Sequence, residues 1–131
     1  MVLAASMLIS FRVIAAQTTA KPNCDSSTLS MTELTHCSDD RLAQLEVQLE
    51  REYRAVLVSA ADDPKLVQAI KNSQNAWIVY RSKLVSVAFP ASGPHAESGS
   101  ALIVEKNDFI YDLTREQIEH LRELKHIYTG R

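Results

Sequence analysis

The sequence is short of the residues that build turn-rich, metal-rich and nucleic-acid-binding proteins. It has only 3 Gly and 4 Pro in 131 residues, too few for a collagenous, propeller-like or turn-rich all-β design. Its 14 Lys and Arg stand against 16 Asp and Glu, a formal net charge of -2. No strongly basic face is available to neutralise a nucleic-acid backbone, so nucleic acid is not an expected partner. Two Cys cannot supply a four-ligand zinc site or a disulfide-dense miniprotein, although they can form a single bridge. H-E-x-x-H, G-x-S-x-G, phosphate-loop and dinucleotide patterns are all missing, and with them the usual routes to metal, nucleophilic and cofactor chemistry. What is there is ordinary for a folded domain: 46% hydrophobic and 23% charged residues, in a length that suits one small domain.

The chain opens on an apolar run over residues 2–11 with no acidic residue. The run is far shorter than the ~20 residues that cross a bilayer. It has the size of a signal-peptide core, and Ala15, Ala16 and Ala20 offer small residues for cleavage. Against this, no Lys or Arg precedes the run and Arg12 follows it; the alternative is an N-terminal helix packed on the body. Residues 1–20 are read as a signal peptide and residues 21–131 as one helical domain.

Cys24 and Cys37 lie just beyond the cleavage region in a polar segment. A bridge between them would close a short loop, stabilise the fold by about 3 kcal/mol, and persist only in an oxidising compartment. Lys21-Pro22-Asn23 precede Cys24, which is not the small, apolar context of a lipid-attachment cysteine. These features predict a periplasmic or secreted protein without a stable membrane anchor.

Three segments repeat apolar residues at helical steps of three and four. The first runs through Leu42, Leu45, Leu49, Tyr53 and Val56, with Ser38 or Asp39 as its cap and a shorter helical stretch from Thr28 or Ser30 to His36 before it. The second begins at Asp63-Pro64, a capping residue followed by a proline suited to the first helical turn. It continues through Leu66, Ile70, Ser73, Trp77, Tyr80 and Leu84 and fades before Phe89-Pro90. Residues 90–100, rich in Pro and Gly, read as a loop. The third runs from Leu102 through Ile110, Leu113, Gln117, Leu121, Leu124 and Tyr128 to the region of Gly130. The fold predicted is all-α: an antiparallel bundle of three principal helices with a short N-terminal helical stretch tied by one disulfide.

Candidate chemistry is sparse. Glu116 and His120 share a helix face at i and i+4, a spacing open to metal but ordinary for a solvated pair. The acidic pairs Asp39-Asp40 and Asp62-Asp63 precede helical segments, where they complement the macrodipole. No catalytic residue, cofactor or metal ligand is assigned, and the protein is not expected to be an enzyme. The densest stretch is Gln74-Asn75-Ala76-Trp77-Ile78-Val79-Tyr80-Arg81. Trp77 and Tyr80 fall on the apolar stripe as core anchors, or alternatively form a binding surface; Arg81 suits a partner carboxylate on a neighbouring helix, its stem covering apolar surface.

Gln74, Ala76, Trp77, Tyr80 and Arg81, spaced Q-x-A-W-x-x-Y-R, resemble the core motif of the lysozyme inhibitor LprI-type N-terminal domain family, small exported bacterial helical domains. The resemblance spans about residues 24–124. It includes the early Cys pair, an acidic-x-x-Leu-x-x-x-Tyr pattern at Glu46, Leu49 and Tyr53, with Glu50 where Asn is usual, and Leu113-Thr114, with Gln117 replacing an Arg. A second Cys pair found in many relatives falls here at Val85 and Phe109, which the alignment expects to approach each other across the bundle. The resemblance implies a non-enzymatic binding protein that inhibits lysozyme, with a protein partner and no cofactor; the loop 90–100 is then a candidate for insertion into the enzyme's cleft. The alternative is an extracytoplasmic structural or envelope-stress helical protein that binds another partner.

Overall fold

A computed structural model describes residues 21–94 and 96–130; the signal-peptide reading of residues 1–20 lies outside them. The described residues form three α-helices and no strand: α1 (Met31–Ser59), α2 (Pro64–Ala88) and α3 (Ser100–Thr129).

The first helix starts earlier than its apolar stripe predicts. Ser30 is the N-cap: its hydroxyl accepts from the Glu33 amide, and the Glu33 carboxylate accepts from the Ser30 amide. This reciprocal box satisfies amides that the first turn leaves without helical partners. Hydrogen bonds to the Glu33 carboxylate from the Ser30 hydroxyl, at 2.6 Å, and then from the Ser30 amide hold that carboxyl below its ordinary pKa. Ser38 and Asp39 are therefore not caps. The expected separate stretch before them is the first turns of one uninterrupted α1, whose sequence has no Gly or Pro to break it. Cys37 sits on α1 and is bonded to Cys24, tying the non-helical segment before Ser30 to the helix. Lys21 and Asp40 add an ion pair at 2.7 Å.

The second helix starts as its sequence predicts. The Asp63 carboxylate accepts from the amides of Lys65 and Leu66 at 3.0 and 3.1 Å, and Pro64 occupies the first turn. Past Phe89 the chain leaves the helix, and residues 90–94 and 96–99 are non-helical. Gly99 caps α3 at φ 126, a backbone conformation costly for any residue with a Cβ.

Cross-helix contacts give the topology. The Asn107 amide donates to Asp39 at 2.6 Å, Arg41 pairs with Asp108, and Arg122 pairs with Glu52 at 3.3 Å. Both helices rise together along this series, so α1 and α3 are parallel. Gln74 meets Gln117 and Arg81 meets Thr114 and Glu46, which sets α2 antiparallel to both. The core is Leu45, Leu49, Val56, Ala60, Ile70, Ile118 and Leu121. Only Ile70 of these comes from α2, so the α1–α3 pair carries most of the apolar burial and α2 lies against it.

Candidate functional site

The motif residues of α2 divide between two sides of the helix. Gln74, Trp77 and Arg81, at i, i+3 and i+7, face the α1–α3 pair. Gln74 is buried, and its side-chain oxygen accepts from the Gln117 amide at 2.9 Å. Trp77 is half-buried and packs on the core. The Arg81 guanidinium stacks over the Trp77 ring at 4.6 Å, donates to Thr114 Oγ1 at 2.9 Å and pairs with the Glu46 carboxylate. Thr114 is fully buried and donates its own hydroxyl hydrogen to the Ile110 carbonyl at 2.7 Å. Arg81 thus joins all three helices through one planar group, its side chain only 20% exposed.

This corrects the expected buried line on α2. The apolar count runs through Ser73 and Tyr80, yet both are exposed, and Gln74 and Arg81 hold the inward positions instead. The inward line is shifted by one residue because those polar groups have built-in partners on α1 and α3, which removes the cost of burying them. Tyr80 is 56% exposed and is not a core anchor; Ala76 is exposed beside it.

A guanidinium that both stacks and forks should not tolerate an ammonium. Arg81→Lys keeps the charge but loses the planar stack and the shared donation to Glu46 and Thr114. Urea unfolding is expected to show a loss of about 1–2 kcal/mol with an unchanged slope. An unchanged midpoint would mean that the three-way contact contributes nothing to stability.

Next to Gln74 and Gln117, a cavity of about 210 Å³ opens between α2 and α3, walled by Leu66, Ile70, Leu121 and Leu124. A larger surface hollow of about 750 Å³ lies between the disulfide-tied segment, α1 and α3. Its wall includes Ser38, whose buried hydroxyl has no hydrogen-bond partner among the described residues. Glu116 and His120 are both exposed on α3. Among the described residues, no three His, Cys, Asp or Glu side chains are gathered where a metal ion would bind. Phe109, one of the two positions aligned with a second Cys pair, packs edge-on against Phe89 at 5.6 Å, one helical turn beyond Val85. His95, in the connecting loop, lies outside the described residues.

No helix among the described residues is long and apolar enough to cross a membrane. Neither a curated protein nor a solved structure is similar enough to match the chain. The model of the family described as lysozyme inhibitor LprI matches residues 23–121, a stretch that holds both cysteines, all of α1 and α2, and α3 as far as Leu121. On that match the chain belongs to the LprI lysozyme inhibitor family.

Proposed function

We propose that the chain is an exported, non-enzymatic protein that binds a lysozyme and blocks it in the periplasm or outside the cell. The observation that carries this reading is the extent of the family match, which runs through nearly the whole helical body and includes the disulfide. A single bridge between Cys24 and Cys37 supports the compartment, because such bonds last where thiols are not kept reduced. Inhibition needs no reacting group on the inhibitor. It needs a rigid surface that fills a cleft, and a helix held by side-chain contacts to two others supplies one at little ordering cost.

The direct test is lysis of a bacterial cell-wall suspension by chicken-type lysozyme in the presence of the oxidised chain 21–131, paired with a pull-down on the same protein. Dose-dependent inhibition at micromolar chain is the expected result. Full lysozyme activity at every concentration would reject the reading, whatever else the pull-down captured.

A further inference from the structure

The segment Ala76-Trp77-Ile78-Val79-Tyr80 is apolar on every side of α2. A helix apolar all round is normally buried all round, yet only Trp77 of these five packs on the core. Ile78, Val79, Tyr80 and, two turns on, Val87 are 46%, 53%, 56% and 78% exposed. Ala76, Tyr80, Lys83 and Val87 follow steps of four, three and four, which places them in one line along the helix. Val79 lies beside that line. The Tyr80 hydroxyl makes no hydrogen bond within the described residues, leaving both its ring and its polar tip to a partner.

The charge on this line is distinctive. Asp and Glu side chains of the three helices all lie on α1 and α3; α2 has none. Its Arg81 is neutralised by Glu46, whereas Lys83 is exposed and has no acidic partner among the described residues. The result is a convex ridge about 17 Å long, apolar with one free ammonium, on a chain that is acidic elsewhere. Beside it, Ala69 and Ser73 border the 210 Å³ cavity between α2 and α3, a hole large enough for one side chain of a partner. Such a ridge complements a concave surface that is apolar and negatively charged. A glycosidase cleft is concave and carries negative charge, because its chemistry rests on a pair of carboxyl groups flanking the scissile bond, one of them ionised.

We infer that the Ala76–Tyr80–Lys83–Val87 ridge of α2 is the surface that enters the lysozyme cleft, with the Lys83 ammonium set against the cleft carboxylates. This inference rests on the lysozyme reading above. It assigns the motif's two outward residues to recognition and its three inward residues to holding α2 in place. The ridge, and not the loop 90–100, is then the inhibitory element.

The test measures inhibition of chicken-type lysozyme by the oxidised wild-type chain and by Tyr80→Ala, Lys83→Glu and Val47→Arg. All three side chains are exposed, so circular dichroism and thermal midpoint are expected to match wild type. Tyr80→Ala should raise the concentration for half-inhibition by about thirtyfold. Lys83→Glu should raise it by about tenfold, an effect that shrinks in high salt. Val47→Arg, on the far side in α1, should change nothing. The soluble trimer of N-acetylglucosamine, which occupies the cleft, should compete with the wild-type chain. Wild-type inhibition that survives both α2 substitutions, or that the trimer does not weaken, overturns the ridge while leaving the lysozyme reading intact. Inhibition that survives while Tyr80→Ala only dissolves a dimer of the chain also overturns it, making the ridge a self-association surface. No inhibition by the wild-type chain removes both.

Discussion

Ile118→Ala is expected to lower the unfolding free energy by about 3 kcal/mol, the middle of the range for emptying a tightly packed aliphatic site. Ile118 is 1% exposed and belongs to the one cluster to which all three helices contribute. Its neighbours on the inward line of α3 are Thr114, fully buried, and Leu121, 2% exposed. Neither can collapse into the space without pulling α3 from α1, so the vacated volume stays open. For a domain of this length the loss corresponds to a fall in Tm of about 12 °C. Val47→Ala, at a residue 73% exposed on α1, should change stability by less than about 0.5 kcal/mol. A similar loss from both variants would mean that the core does not lie between α1 and α3.

Removing the bridge with Cys24→Ser and Cys37→Ser together is the second large effect, with a loss of up to about 3 kcal/mol on the loop-entropy estimate. The bond joins residues 13 apart in sequence. The loop it closes contains the turns before Ser30 and the first turns of α1, so the damage should be local as well as global. Limited proteolysis of the double variant is expected to cut before residue 38 first, with the α1–α3 core still protected. The Lys21–Asp40 pair then becomes the remaining tie. A hydrogen bond from Lys21 is the main reason the Asp40 carboxyl sits below its ordinary pKa; desolvation opposes it, and the Lys21 and His36 charges add to it. That tie is at full strength above the carboxylate's unfolded pKa and is lost as the pH falls through the lowered folded value. The double variant should therefore release its N-terminal segment more readily in acid. Equal stability of the oxidised and cysteine-free chains would reject the bridge as a structural staple.

Much of this fold is written in local pattern. Leu45, Leu49 and Val56 recur at helical spacing and are buried, Asp63-Pro64 starts α2, and the Gly-containing segment before Ser100 separates α2 from α3. The start of α1 was also written there: Ser30-x-x-Glu33 is a capping-box pattern, outweighed by an apolar stripe that becomes regular only at Leu42. The site was harder to read, for a physical reason. Counting apolar residues gives Gln74 no place in the core, because burying it is costly until a partner exists. Arg81 is legible as pairing with a carboxylate on a neighbouring helix and does so with Glu46, but the sequence does not identify the partners. Those partners, Gln117, Thr114 and Glu46, lie more than thirty residues away in sequence. Tyr80 was misplaced by the same arithmetic, since it takes the outward position that Arg81 vacates. How little of α2 enters the core depends on tertiary packing and has no local signature.

Hydrogen exchange of the oxidised chain, alone and with one equivalent of chicken-type lysozyme, tests the central claim most directly. Slowed exchange concentrated in residues 73–88 of α2 is the predicted result, because covering the Ala76–Val87 ridge restricts opening of that helix. Slowing confined to residues 90–100 or to α1, with α2 unchanged, would contradict it.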